Sequence, residues 1–199
     1  KRKSARTILL VAIVAAVAQR RPVSATIGDF PDMPAEAVTR AVTAMAGTGV
    51  DFVKIGLFPG PGLDPCLQAL APLARRQRLV AVLFADRVPD FRLPARLAGL
   101  GFAGVMLDTA DKSAGGLLAH QSPARLAEFV ALARRSGLLC GLAGSLKVAD
   151  IPHLLPFVPE YLGFRGALCH QHARTRSLDP AALASLGRAM ASAASPTGA

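Results

Sequence analysis

Gly104-Val105-Met106-Leu107-Asp108-Thr109-Ala110-Asp111-Lys112 is the stretch on which the reading of the fold turns. Its unbroken apolar start reads as a strand buried on both faces, as in a parallel sheet covered by helices. An acid, a hydroxyl, a second acid and a lysine then bunch at the carboxyl end, where α/β folds place their chemistry. Taken alone, the stretch could equally be a strand end running into a solvated loop. Recurrence of the pattern along the chain decides for the first reading.

Outward from that strand, a unit of about 25 to 30 residues repeats in type. Strands are expected at Val23–Asp29, Val50–Leu57, Leu79–Asp86, Phe102–Ala110, Leu138–Leu146 and Tyr161–Cys169. The helices between and after them are expected at Pro34–Gly47, Leu63–Arg75, Phe91–Leu100, Pro123–Ser136, Val148–Phe157 and Pro180–Ala194. Ser122-Pro123 and Asp179-Pro180 place a capping side chain before a proline at the first helical position. The longest, most Gly-rich loop is Asp111–Ser122, and Ser195–Ala199 reads as a frayed tail.

Six βα units with no hairpin turn mean a parallel α/β sheet. A Gly-x-Gly-x-x-Gly turn after the first strand is absent, which argues against a Rossmann sheet. A TIM-type (β/α)8 barrel fits, as a single domain over residues 1–194 with six units present and the first two strands missing.

The amino terminus, Lys1-Arg2-Lys3 followed by an apolar run from Thr7 to Ala18, imitates a secretory signal peptide. The run is too short to span a bilayer. Arg20-Arg21-Pro22 leads directly into the first strand, so a buried helix of an α/β fold is expected instead. The chain has no initiator Met and opens in mid-helix, which suggests that an upstream segment is missing.

The chain has 199 residues, 52% hydrophobic and 18% charged, which describes a globular chain. Its net charge of +10 comes mostly from arginines scattered over helices and turns, and aromatic residues make up only 5%. That distribution argues against nucleic-acid binding and suits an anionic small substrate. Cys66, Cys140 and Cys169 form neither a disulfide framework nor a zinc spacing, so a cytoplasmic setting without a metal is expected. Lysine is scarce. Apart from Lys1 and Lys3 it occurs only at Lys54, Lys112 and Lys147, each at or just past an expected strand end.

In a barrel the strand ends share one mouth, and here they supply Asp29, Lys54, Asp86, Asp108 with Lys112, Gly144-Ser145 with Lys147, and Arg165-Gly166. Lys54 lies inside an apolar strand, where desolvation and cationic neighbours would make its amine a base or an imine-forming nucleophile. It could instead be paired with a carboxylate for structure alone. Asp108 and Lys112 could form an acid–base pair across a tight turn, while Asp111 is expected to face solvent. Gly144-Ser145 and Arg165-Gly166 suit phosphate binding through backbone N–H groups and a bidentate guanidinium. An ion pair within the barrel is the other reading of Arg165. His170 and His172 carry no assigned role.

Five motifs in order, Ser24-Ala25-Thr26-Ile27-Gly28-Asp29, Val53-Lys54-Ile55-Gly56-Leu57, Met106-Leu107-Asp108-Thr109-Ala110, Leu142-Ala143-Gly144-Ser145-Leu146 and Gly163-Phe164-Arg165-Gly166-Ala167-Leu168-Cys169, carry a family likeness. Together they closely resemble (5-formylfuran-3-yl)methyl phosphate synthases over residues 8 to 190. These are barrel enzymes of methanofuran biosynthesis, also called 4-(hydroxymethyl)-2-furancarboxaldehyde-phosphate synthases, with relatives in methylotrophic bacteria.

The resemblance implies a lyase that condenses two glyceraldehyde 3-phosphate molecules, with loss of one phosphate and water, through a Schiff-base lysine and no cofactor. Lys54 matches the proton-accepting lysine, and Asp108 with Lys112 matches an assisting pair. The remaining strand-end positions, Asp29, Asp86, Gly144, Ser145, Lys147, Arg165 and Gly166, are the expected substrate and phosphate contacts. A homo-oligomer with no nucleic-acid or membrane partner is expected.

One departure bears on activity. The family's imine-forming lysine lies in an Asp-Val-Lys context before the first helix, a segment this sequence does not show. The alternatives are therefore another phosphate-binding barrel, such as a class I aldolase or a thiamine-phosphate-type synthase, or a truncated, inactive copy.

Overall fold

Apolar positions spaced for one helix face, separated by short apolar runs, produce alternating helices and strands in the computed structural model, which describes residues 5–172 and 175–194. Six strands follow one another in chain order. Contacts divide the chain into two compact units, one formed by the chain up to Leu83 with Arg92–Val105 and Ser136–Leu138, the other by Phe84–Phe91, Met106–Arg135 and the chain from Leu139.

The first unit begins with α1 (Ala5–Val17), followed by β1 (Ser24–Thr26), α2 (Ala35–Ala46), β2 (Phe52–Gly56), α3 (Leu63–Ala74), β3 (Arg78–Phe84) and α4 (Leu93–Gly99). Its β1–β2 and β2–β3 pairs are parallel, with Thr26 opposite Lys54 and Lys54 opposite Val80. Helix α2 buries Val38, Val42 and Met45, and α3 buries Cys66, Leu67, Leu70 and Ala74. Each fully buried Val or Leu contributes roughly 1.5–3 kcal/mol relative to an exposed one. Helix α1 departs from the expected buried helix, because Ile8 and Leu9 are 58% and 61% exposed. A helix that is apolar on every side leaves a greasy face wherever only one face is covered.

The Pro59-Gly60-Pro61-Gly62 turn after β2 has a packing reason. A Cβ on Gly62 would overlap the carbonyl oxygen of Asp32 in the loop after β1. Because that obstacle is backbone, Gly62→Ala must displace a loop, at about 2–3 kcal/mol. Urea denaturation of the variant should show that loss. A change under about 0.5 kcal/mol would mean the two loops do not approach this closely.

The second unit takes over within β4 (Gly104–Asp108) and continues through α5 (Leu117–His120), α6 (Pro123–Arg135), β5 (Leu139–Leu142), α7 (Ile151–Leu154), β6 (Tyr161–Leu162) and α8 (Pro180–Ala194). Strands β5 and β6 are parallel. Leu126, Phe129, Val130 and Ala133 form the buried face of α6.

Four expected boundaries are corrected here. Asp86 leaves the strand for a 3-10 turn, Ala85–Arg87, and β5 stops at Leu142 rather than Leu146. The sixth strand pairs over only two residues, and Gly166–Leu168 is another 3-10 turn. The expected helix Val148–Phe157 is a short α-helix between two 3-10 turns, with Pro152 and Pro156 each removing a backbone donor. The loop Asp111–Ser122 contains α5, anchored by fully buried Leu117. The Ser195–Ala199 tail and the Lys1 and Lys3 positions lie outside the described residues.

Candidate active site

Strand β4 ends on Asp108, and the chain then folds its next turn back onto that carboxylate. Asp108 Oδ1 accepts the Thr109 backbone N–H at 2.7 Å and the Lys112 ammonium at 2.5 Å. Lys112 Nζ also donates to the Thr109 carbonyl oxygen and, at 3.3 Å, to Thr109 Oγ1. Three oxygens thus face an amine with three donor positions. The pair is half-buried, with side-chain exposures of 28% for Asp108 and 30% for Lys112. An ion pair so placed is screened less than a surface pair, and its two groups lie within proton-transfer distance of one another.

Thr109 is the unforeseen member. It is 1% exposed, a buried polar residue like Thr48 among the described residues, and packs against the turn after β5. At Gly144 an added Cβ would lie 3.0 Å from Thr109 Cγ2 and 3.1 Å from its backbone nitrogen. Gly144 also has φ +112°, and Ser145 follows at φ +49°. The second is costly for a residue with a side chain, and such strain gathers where a turn is over-determined by its surroundings. Leu117 N–H donates to the Gly144 carbonyl, tying α5 to the same turn.

Asp86 stands beside this turn, with both carboxylate oxygens taken by backbone donors. Oδ1 accepts the Ala110 N–H and Oδ2 the Asp111 N–H, both at 2.8 Å. Burial acts to raise its carboxyl, but these backbone donors and the nearby His120 outweigh it and hold Asp86 below the usual carboxylate range. Gln121 Nε2 donates to the Ala85 carbonyl at 2.8 Å. His120 Nε2 is buried and has no hydrogen-bond partner among the described residues. Neither Gln121 nor His120 carries a sequence signal, because both act through contacts remote in the chain.

Asp111 is exposed and accepts from Ser113, as its solvent-facing expectation has it. Ser145, Lys147 and Arg165 are exposed on the turns after β5 and β6, and Gly166 opens the following 3-10 turn half-buried. The Lys147 N–H is taken by Asp150 Oδ2 at 2.7 Å. The second unit therefore brings together Asp86, Asp108, Lys112 and Gly144 around Thr109.

In the first unit, Lys54 occupies the middle of β2 and is half-buried, on the face opposite fully buried Val53 and Ile55. Asp29 is exposed in the loop after β1. A cleft of about 440 Å³ is lined by Leu118, Gln121, Pro123, Pro152, His153 and Phe157, with neither Asp108 nor Lys112 in its wall. Among the described residues no cluster of three His, Cys, Asp or Glu could hold a metal, and no helix is long and apolar enough to cross a membrane.

Comparison with known proteins adds to this geometry. Residues 4–187 match the model of the 4-HFC-P synthase family. A Methylorubrum extorquens protein provisionally named (5-formylfuran-3-yl)methyl phosphate synthase is 42% identical over 179 residues, covering 90% of this chain and 73% of the relative. The (5-formylfuran-3-yl)methyl phosphate synthase of Methanosarcina mazei is 34% identical over 169 residues, covering 79% of this chain and 72% of the relative. Among solved structures, phosphoribosyl anthranilate isomerase of Thermus thermophilus shares the fold at a TM-score of 0.63 and 15% identity, over 94% of this chain and 80% of the other.

Proposed function

The chain belongs to the 4-HFC-P synthase family, and from that premise we propose that it condenses two glyceraldehyde 3-phosphate molecules to (5-formylfuran-3-yl)methyl phosphate. One phosphate and two waters leave, which balances the atoms of the two trioses against the furan product. The observation that carries the reading is the half-buried Asp108–Lys112 pair, built on the Asp-Thr-Ala-x-Lys segment at the end of β4.

A condensation of this kind needs an enamine-like carbon on one triose, attack on the aldehyde of the other, and elimination of water and phosphate. Each step moves a proton at carbon or oxygen. Lys54 is assigned the proton-accepting role and Asp108 with Lys112 the assisting role. Gly144, Ser145, Lys147, Arg165 and Gly166 are assigned to the phosphate groups, a reading supported by the exposed Ser145, Lys147 and Arg165 on two successive turns. Carbonyl activation is assigned to a Schiff-base lysine, and the eliminations of phosphate and water make the proposed reaction class a lyase. The same family resemblance supports proposing a (β/α)8 barrel enzyme, homo-oligomeric and cytoplasmic, working without metal or organic cofactor.

Borohydride trapping tests the covalent step. Protein made from the full coding region, with any codons upstream of Lys1, is mixed with glyceraldehyde 3-phosphate and reduced. A single lysine adduct carrying the triose is expected by mass spectrometry. Product formation with no trapped lysine would sink the imine. A trapped adduct with only a plain aldol product would instead indicate an aldolase.

A further inference from the structure

We infer that Asp86 is a positioning residue for the Asp108–Lys112 pair, clamping the loop that carries Lys112 instead of contacting substrate. Both carboxylate oxygens already accept backbone N–H groups, those of Ala110 and Asp111, at the point where the chain leaves β4. Those residues lie between Thr109 and Lys112, so their backbone direction determines whether Nζ can return to Asp108 and Thr109.

The far end of the loop is held from the same turn, by Gln121 Nε2 on the Ala85 carbonyl. Its middle is held by the Leu117 N–H on Gly144. Between these anchors Ser113 and Ala114 are exposed and Gly115 has φ +107°. The Ser113 N–H is taken by Asp111 Oδ1, which ties the span to itself and leaves the Asp86 bonds to fix its direction. A carboxylate is the side chain that can accept two adjacent N–H groups at once, and two charge-assisted bonds of this kind fix a backbone firmly. An acid is also poorly suited to hold a phosphate, since like charges repel.

The functional part rests on the synthase reading above, so the test includes a readout that does not depend on turnover. In the full-length protein, lysine acetylation by acetic anhydride is followed at the Lys112 peptide by mass spectrometry. Asp86→Asn keeps one acceptor and Asp86→Ala none, so Lys112 labelling should rise about tenfold in the first and further in the second, with Lys54 labelling unchanged. In the same variants kcat should fall about tenfold and about a hundredfold, with KM for glyceraldehyde 3-phosphate within about twofold of the parent.

Lys112 labelling at the parent rate in both variants would overturn the clamp, and a rise in KM with unchanged labelling would make Asp86 a substrate contact. Should the variants not fold, hydrogen exchange in the unmutated protein decides. The Ala110 and Asp111 amides should exchange at least about tenfold more slowly than unprotected amides, and unprotected rates at both would refute the proposal. If the parent makes no furan phosphate while the labelling contrast persists, the synthase reading fails and the clamp stands.

Discussion

Lys54→Ala in the full-length protein should lower kcat by about 10²–10⁴-fold, the usual contribution of a positioned acid–base group, while the fold survives. Lys54 is the third residue of β2, with Thr26 opposite on β1 and Val80 opposite on β3. Neighbouring Val53 and Ile55 are buried on the other face, and they hold the strand in place whether or not residue 54 carries an amine. Alanine there loses some strand preference and the packing of a lysine stem, at about 1 kcal/mol, so the thermal midpoint should drop by only a few degrees. Steady-state kinetics with a melting curve on the same preparation checks both halves. A variant within about threefold of the parent rate removes Lys54 from the mechanism.

The second large effect concerns the pair at the end of β4. Asp108→Asn and Lys112→Met should each reduce turnover by about 10²–10³-fold, and the double variant should be no worse than the poorer single one. Residues that act as a unit lose their joint contribution once, so the cycle should show a coupling energy of about 2 kcal/mol or more. The geometry supports the coupling, because one carboxylate oxygen receives both the Lys112 ammonium and the Thr109 N–H. Removing either partner leaves the other half-buried without its counter-charge, which costs more than losing an exposed pair. Additive losses would mean that the two groups serve separate steps.

Much of this site is legible in the sequence because its chemistry is local. Asp108 and Lys112 are four residues apart at the end of an apolar run, and a single turn closes that distance. Lys54 stands out because an amine within Val53-Lys54-Ile55 is costly unless it is used. Asp86 illustrates the opposite case. Its partners are the backbone of Ala110 and Asp111, and backbone donors are the same whatever residue carries them, so no residue type announces the contact.

The same limit explains the shortened strands. Gly166-Ala167-Leu168 is apolar enough for a strand, yet periodicity cannot separate a short strand from a short helical turn, and it forms the latter. Nothing in the sequence marks His120 and Gln121 as other than loop residues, because the short α5 is anchored by buried Leu117, whose N–H donates to the Gly144 carbonyl. Apart from α5, the order of helices and strands is legible in the sequence, since it follows the alternating period.

The most direct test of the central claim is the product itself. Protein from the full coding region is supplied with glyceraldehyde 3-phosphate, and the mixture is followed by mass spectrometry together with an inorganic phosphate assay. The account predicts (5-formylfuran-3-yl)methyl phosphate and one phosphate released for each furan phosphate formed. Consumption of the triose phosphate without phosphate release, or a six-carbon aldol with both phosphates retained, would contradict it.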